Sequence, residues 1–366
     1  MLLNIAFLFF WPILQGTPVY TELSKFWNRG ETIETGLAHP IGAVVCPSPD
    51  SSAGWLVAAD SSGKMMELRY DGVRWSVVRT FPAGAPLVTL CSGAAYPDME
   101  FRLYAGTKAG QVLEISRGTI GWSKREIVQL PGPIKAVVAT DAAAGGVVSR
   151  IFAIDGDGKV AYLLPPPGDK ASPSAPGSGR WSAQFLPEMP GGASQLATNM
   201  YKASSWVVAA GPTGLVYRYI QDSLGQWSSA AWTKMAAGAK CMAPSADPSM
   251  RDVAVYYSGT DGLFRYLFYG YTDDMKARVP VADGITNLIG AGNQRRFNEF
   301  FGVTGDEFSM FEFDFEDKAW HKVPIGKIDP PAVSATFGYG RNEPIGQMYV
   351  TCANGKVYEF VRYKMK

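Results

Sequence analysis

Histidine is almost absent from this chain: His39 and His321 are the only two in 366 residues. They stand too far apart to suggest a histidine metal site, and they leave little material for a nucleophile–base relay. Cysteine is scarce as well. Cys46, Cys91, Cys241 and Cys352 are widely separated, with no C-x-x-C spacing, so a zinc site is not expected. One or two disulfides of undetermined pairing would suit an oxidising compartment, and buried free thiols are the equal alternative. Charged residues make up only 18% of the chain and the formal net charge is +1. Without a basic block, nucleic acid is excluded as the main partner, since phosphate contacts need clustered Lys and Arg. No G-x-S-x-G elbow, phosphate-binding loop or dinucleotide fingerprint occurs, and no N-x-[ST] sequon.

Long apolar runs are missing after the first residues. Met1–Leu14 is apolar and leads into Gln15-Gly16-Thr17. It falls short of the roughly 20 apolar residues of a membrane span and reads as a signal peptide over residues 1–16, although it lacks a basic start. The alternative is a strand buried against the rest of the fold. The signal reading places the protein in the secretory pathway or outside the cell, with no membrane span once the leader is removed.

What the chain does have is apolar residues (47%), 40 glycines and 25 prolines, a composition for a large core built from short strands and tight turns. Aligned on itself, it shows one repeated unit. Two alternating strands flank a glycine turn in Gly54–Tyr70, Phe101–Ser116, Arg150–Leu164, Ser205–Ile220, Asp252–Phe268, Phe297–Phe315 and Gln347–Val361. The turn glycines are Gly63, Gly110, Gly158, Gly214, Gly262, Gly305 and Gly355. Tryptophan keeps the same beat in the following strand at Trp75, Trp122, Trp181, Trp227 and Trp320, with Met275 near the missing place and Trp27 at the amino end. The longest interval holds the Pro/Ser/Gly-rich stretch 165–179, read as a surface loop.

Seven such units predict an all-β, seven-bladed propeller over residues 17–366, with four-stranded antiparallel blades. Its last blade would be completed by an amino-terminal strand, Tyr20–Trp27. A six-bladed ring is the fallback should the unit around Phe297–Phe315 fail to pair. The first strands, Ile41–Val45, Leu87–Leu90, Ile134–Val138, Ile285–Ile289 and Ala332–Phe337, are apolar and would line the central mouth. The tryptophans are expected chiefly to fill the space between blades. Asp155 and Asp157 in Ile154-Asp-Gly-Asp-Gly158 lack the other oxygen ligands of a calcium loop, and a turn explains them better.

With its Pro-Ile lead-ins at His39-Pro-Ile41 and Gly132-Pro-Ile134, the repeat resembles the blades of fungal fucose-binding and tectonin-like propeller lectins. In that family, Arg and Glu hold sugar hydroxyls and Trp stacks on the sugar. Carried over, the complete set falls on Arg102, Glu114 and Trp122, with Trp55 where the preceding unit would have Arg. The other units lack one or more of the three. A cross-strand ion pair between Arg102 and Glu114 is the equal alternative.

By architecture the chain is also similar to lectin-derived propellers of fungal secondary metabolism that act as pericyclases. That resemblance implies a cofactor-free enzyme with no metal. It would couple a tropolone quinone methide to a humulene-type sesquiterpene by an intermolecular hetero-Diels–Alder reaction in an apolar central pocket. Predicted turn positions put His39, Lys108, Asp157, Asp261 and Asp283 at the mouth, as hydrogen-bond partners of a carbonyl or hydroxyl. Apolar small molecules are the expected partners under this reading, glycans under the lectin reading. A non-catalytic interaction propeller is the third.

Overall fold

The computed structural model describes residues 27–46, 54–93, 101–118, 121–139, 150–166, 181–198, 206–222, 224–234, 239–244, 253–259, 264–269, 285–289, 299–314, 319–338 and 344–363. These residues form strands and turns only, so no helix among them is long and apolar enough to cross a membrane.

The strands follow the repeat. After β1 (Trp27–Glu34) comes a sheet of β2 (Pro40–Cys46), β3 (Trp55–Asp60), β4 (Lys64–Tyr70) and β5 (Trp75–Pro82). The next contains β6 (Leu87–Ser92), β7 (Phe101–Thr107), β8 (Gln111–Gly118) and β9 (Gly121–Gln129). The third is β10 (Ala136–Ala139), β11 (Ile151–Ile154), β12 (Val160–Leu164) and β13 (Ser182–Phe185). The fourth is β14 (Gln195–Thr198), β15 (Trp206–Ala210), β16 (Leu215–Gln221) and β17 (Trp227–Lys234). Three strands follow, β18 (Ala239–Pro244), β19 (Val253–Gly259) and β20 (Phe264–Tyr269). The sixth sheet holds β21 (Ile285–Ile289), β22 (Glu299–Thr304), β23 (Glu307–Asp314) and β24 (Ala319–Lys327). The last, β25 (Ala332–Gly338), β26 (Pro344–Cys352) and β27 (Lys356–Tyr363), takes β1 as its outer strand, in the order β1-β27-β26-β25.

Four-stranded sheets therefore number six among the described residues, where the repeat predicts seven. The unit around Phe297–Phe315 pairs in full, and the sheet with three described strands is the one before it, the unit whose sequence lacks the tryptophan. Met275 itself, residues 1–16, and the 165–179 stretch beyond Pro166 lie outside the described residues. The described closing strand, Trp27–Glu34, runs on beyond the Trp27 at which the expected strand ends; the rest of that expected strand, residues 20–26, lies outside the described residues. Trp27 pairs with Arg362 and Glu34 with Lys356, so the tryptophan lies on the outer strand, as Trp75 lies on β5 and Trp227 on β17.

The first strands adjoin in a closed cycle. β2 lies against β25 and β6, β10 against β6 and β14, and β18 against β14 and β21, while β21 returns to β25. The core consequently lies between sheets. Val57, Met65, Leu103 and Ile115 share one cluster, Tyr104, Ile127, Ile151 and Leu163 the next, and Phe301, Met310, Met348 and Phe360 another. Each sheet has two apolar faces and buries both only with neighbours on either side. Six of the seven predicted turn glycines have a left-handed φ, +89° at Gly63 and +88° at Gly110 among them, and Gly262 lies outside the described residues. A Cβ on Gly63 would also run into the Ala85 carbonyl oxygen.

Candidate functional site

The tryptophans join one sheet to the one before it. Trp122 stacks on Phe81 at 5.0 Å with 14° between the rings. Trp227 meets Phe152 and Tyr162 edge-on at 5.5 and 5.4 Å, and Trp75 meets Tyr349 at 5.7 Å. Trp27 meets Phe301 at 5.2 Å, and Trp181 lies 6.5 Å from Tyr104. Each such pair contributes about 0.5–1.5 kcal/mol beyond its buried area. The rings serve the interfaces, as the repeat predicts.

Four residues after the turn glycine, three units carry a buried glutamate: Glu67, Glu114 and Glu359. Glu67 accepts the Arg117 Nε–H at 3.0 Å and the Trp122 indole N–H at 2.6 Å, both from the following sheet. Glu114 takes Arg125 at 2.9 Å, Arg102 at 3.4 Å and the Tyr104 hydroxyl at 3.4 Å, all within its own sheet. Glu359 accepts the Tyr349 hydroxyl at 3.2 Å. Arg102 and Glu114 therefore meet, but Trp122 turns to Glu67 and does not join them. Trp55 carries two guanidinium groups on its ring, Arg117 at 4.5 Å and Arg69 at 5.0 Å. Sequence spacing within one unit misses these partners, because Glu67 and Trp122 belong to different units.

The turn candidates stand at one end of the ring. His39 precedes β2, Lys108 lies between β7 and β8, and Asp157 between β11 and β12; all three are exposed. Among the described residues no hydrogen bond joins their side chains. Asp261 and Asp283 lie outside the described residues. Asp155 is buried and closes its turn by accepting the backbone N–H of Asp157 at 2.9 Å and of Lys159 at 2.8 Å. Asp60 does the same for Ser62 and Lys64. An open groove of about 490 Å³, lined by Ser62, Lys64, Phe81 and Pro86 among others, occupies this end and reaches the lead-in to β6.

One repeated feature has no counterpart in the sequence reading. The register slips by one residue near the start of β2, β6, β18, β21 and β25, placing Ile41, Val88, Lys240, Thr286 and Val333 at bulges. In the two remaining sheets Lys135 and Ser194 take the same place. Each donates its N–H, to Ile154 O at 2.9 Å and Ala210 O at 2.8 Å, the carbonyl of the residue opposite its successor. A bulge re-aims a side chain. Accordingly Pro40, Leu87, Ile134, Ala193, Ile285 and Ala332 are buried, while their successors Ile41, Val88, Lys135, Ser194, Thr286 and Val333 reach solvent to some degree. The Pro-Ile lead-ins are thus one residue out of step: Ile41 matches Lys135, and Pro40 matches Ile134.

All four cysteines are free thiols. Burial pushes the Cys91 thiol up to about 12 and that of Cys352 up to about 11, so neither supplies a thiolate nucleophile at neutral pH.

No family model matches the chain, and no curated protein does. Among solved structures it is similar to BBS1N, determined in complex with ARL6DN from a crystal soaked with mercury. The TM-score is 0.62 at 14% identity, covering 93% of this chain and 98% of that one. BBS1N is a β-propeller. This chain has the propeller fold. At that identity the likeness extends to architecture alone, so any functional reading of this propeller has to come from its own residues.

Proposed function

We propose that this is a seven-bladed propeller, the three-stranded sheet β18–β20 being its seventh blade, and that it takes a small apolar molecule at the mouth of its central channel. One observation carries the reading. The bulges leave Val333 and Ile41 half-buried, Ile41 still against the core, and Val88 36% exposed beside a fully buried Leu87, on three consecutive blades. An apolar wall with a few polar groups at its edge is what a small-molecule site requires. His39, Lys108 and Asp157 supply such groups at the same end.

The reaction proposed for this mouth is the one the pericyclase resemblance implies: cofactor-free hetero-Diels–Alder coupling of a tropolone quinone methide with a humulene-type sesquiterpene. Two apolar reactants held in one pose gain rate from proximity alone, and a donor from His39 or Lys108 would polarise a carbonyl. Export through the apolar amino-terminal residues belongs to the same proposal.

The test is to incubate purified protein with both reactants and follow adduct formation. Acceleration by the protein, reduced in Lys108→Ala or Val88→Asp and unaltered in Arg102→Ala, supports the reading. No acceleration, together with glycan binding that free sugar competes away and Arg102→Ala abolishes, would replace it with the lectin reading. That alternative rests on the recurring glutamates Glu67, Glu114 and Glu359, whose carboxylates are already engaged by protein donors.

A further inference from the structure

The five bulge positions and their two equivalents, Lys135 and Ser194, fall into two arcs in ring order. In ring order, Val333, Ile41 and Val88 are apolar and consecutive; Lys135, Ser194, Lys240 and Thr286 are polar and consecutive. No acidic residue occupies any of the seven positions. Lys135 is exposed, and among the described residues no carboxylate forms an ion pair with it. It is also the immediate ring neighbour of Val88, because β10 adjoins β6. Lys240 occupies the equivalent register position two blades further round.

From this division we infer that the channel mouth selects an amphipathic organic anion, with its apolar body against Ile41, Val88 and Val333 and its carboxylate, sulfonate or acidic enol oxygen at Lys135. The inference rests on the proposed apolar mouth and adds the charge of the ligand to it. A neutral hydrocarbon would satisfy only one arc and leave an unpaired ammonium at its edge. An anion of the same shape gains a charge-assisted contact there. Lys135 stands just before β10, its N–H on Ile154 O at 2.9 Å and its side chain exposed, in the place that the bulged residues take in the neighbouring sheets.

Two probes with one skeleton separate the claims. 8-Anilinonaphthalene-1-sulfonate carries a sulfonate, and N-phenyl-1-naphthylamine is the same ring system without it. Both are titrated by fluorescence into the intact chain at low salt. The sulfonate is expected to bind about fivefold more tightly than the amine, the scale of one exposed ion pair. Lys135→Gln should bring it down to the affinity of the amine while leaving the amine unchanged. Val88→Asp should weaken both probes. Raising the ionic strength should weaken only the sulfonate.

Equal binding of the two probes, or sulfonate binding indifferent to Lys135→Gln, overturns the anion inference and leaves the apolar mouth standing. If neither probe binds, or both bind with no response to Val88→Asp, the mouth itself is wrong and the inference falls with it. Lys135→Gln and Val88→Asp alter exposed side chains, and a near-ultraviolet dichroism spectrum matching the parent protein confirms that each variant has folded.

Discussion

Glu67 sits where two sheets meet, only 2% exposed, with one carboxylate oxygen on Arg117 and the other on the indole of Trp122. Removing it would strand a partly buried guanidinium that also lies over Trp55. Loss of one partner of a buried charged pair typically costs about 3–5 kcal/mol. Arg117 retains 32% side-chain exposure, so the lower end of that range applies, and Glu67→Ala is expected to lose about 3 kcal/mol in urea unfolding. Glu67→Gln keeps two of the contacts in neutral form and should lose less. In Trp122→Phe the stack on Phe81 is preserved and only the hydrogen bond disappears, which separates packing from polarity. A result in which Glu67→Ala unfolds at the parent midpoint would mean that the interface is held by its rings alone.

The hairpin between β3 and β4 shows what the repeat fixes at the level of an element. Its turn glycine has a left-handed φ and is also pressed against Ala85. Gly63→Ala therefore combines backbone strain with a clash against main chain, and about 1–3 kcal/mol of destabilisation is expected in denaturant titration. Gly72 is the control: its φ is +101°, yet nothing stands within 4 Å of an added Cβ. Gly72→Ala should cost clearly less. Turns of this kind were legible because glycine at a regular beat is a sequence property. Trp27 was legible as a repeat marker, but the pairing of the residues after it, as far as Glu34, was not. The bulges were not legible at all. A one-residue slip is defined by which carbonyl an N–H finds across the ladder, and alternation of apolar and polar residues reads through it unchanged. Likewise Trp122 was grouped with Glu114 by position in one unit, whereas its hydrogen bond crosses to Glu67 in the unit before.

At the scale of the whole molecule, the ring depends on the pairing of β1 with β27. Deleting residues 27–34 would expose the ladder edge of β27 and withdraw Trp27 from Phe301 and its cluster. An uncovered strand edge invites pairing with other chains. The truncated protein is expected to elute from size exclusion as oligomers and to lose a single sharp unfolding transition. Monomeric elution with an unaltered transition would show that the ring closes without this strand. The regular beat made the propeller itself predictable, since its period follows from the chain alone, but the beat predicts seven four-stranded sheets where the described residues form six. Which unit would carry only three described strands did not follow.

Pairing the first strand with the last also sets an order in time. Glu34 and its partner Lys356 are separated by most of the chain. At a synthesis rate of about 5–20 residues per second, β1 leaves the ribosome roughly 15–60 s before its partner exists. Throughout that interval the growing row of sheets has two open ends, and β1 must remain unpaired. Its Arg29, Glu31 and Glu34 side chains, charged along an otherwise pairable strand, discourage premature partners in the manner of other protected edges. The ring thus closes only after β27 has been made, and slowing translation would lengthen the exposure of an unclosed molecule without changing the fold it finally reaches.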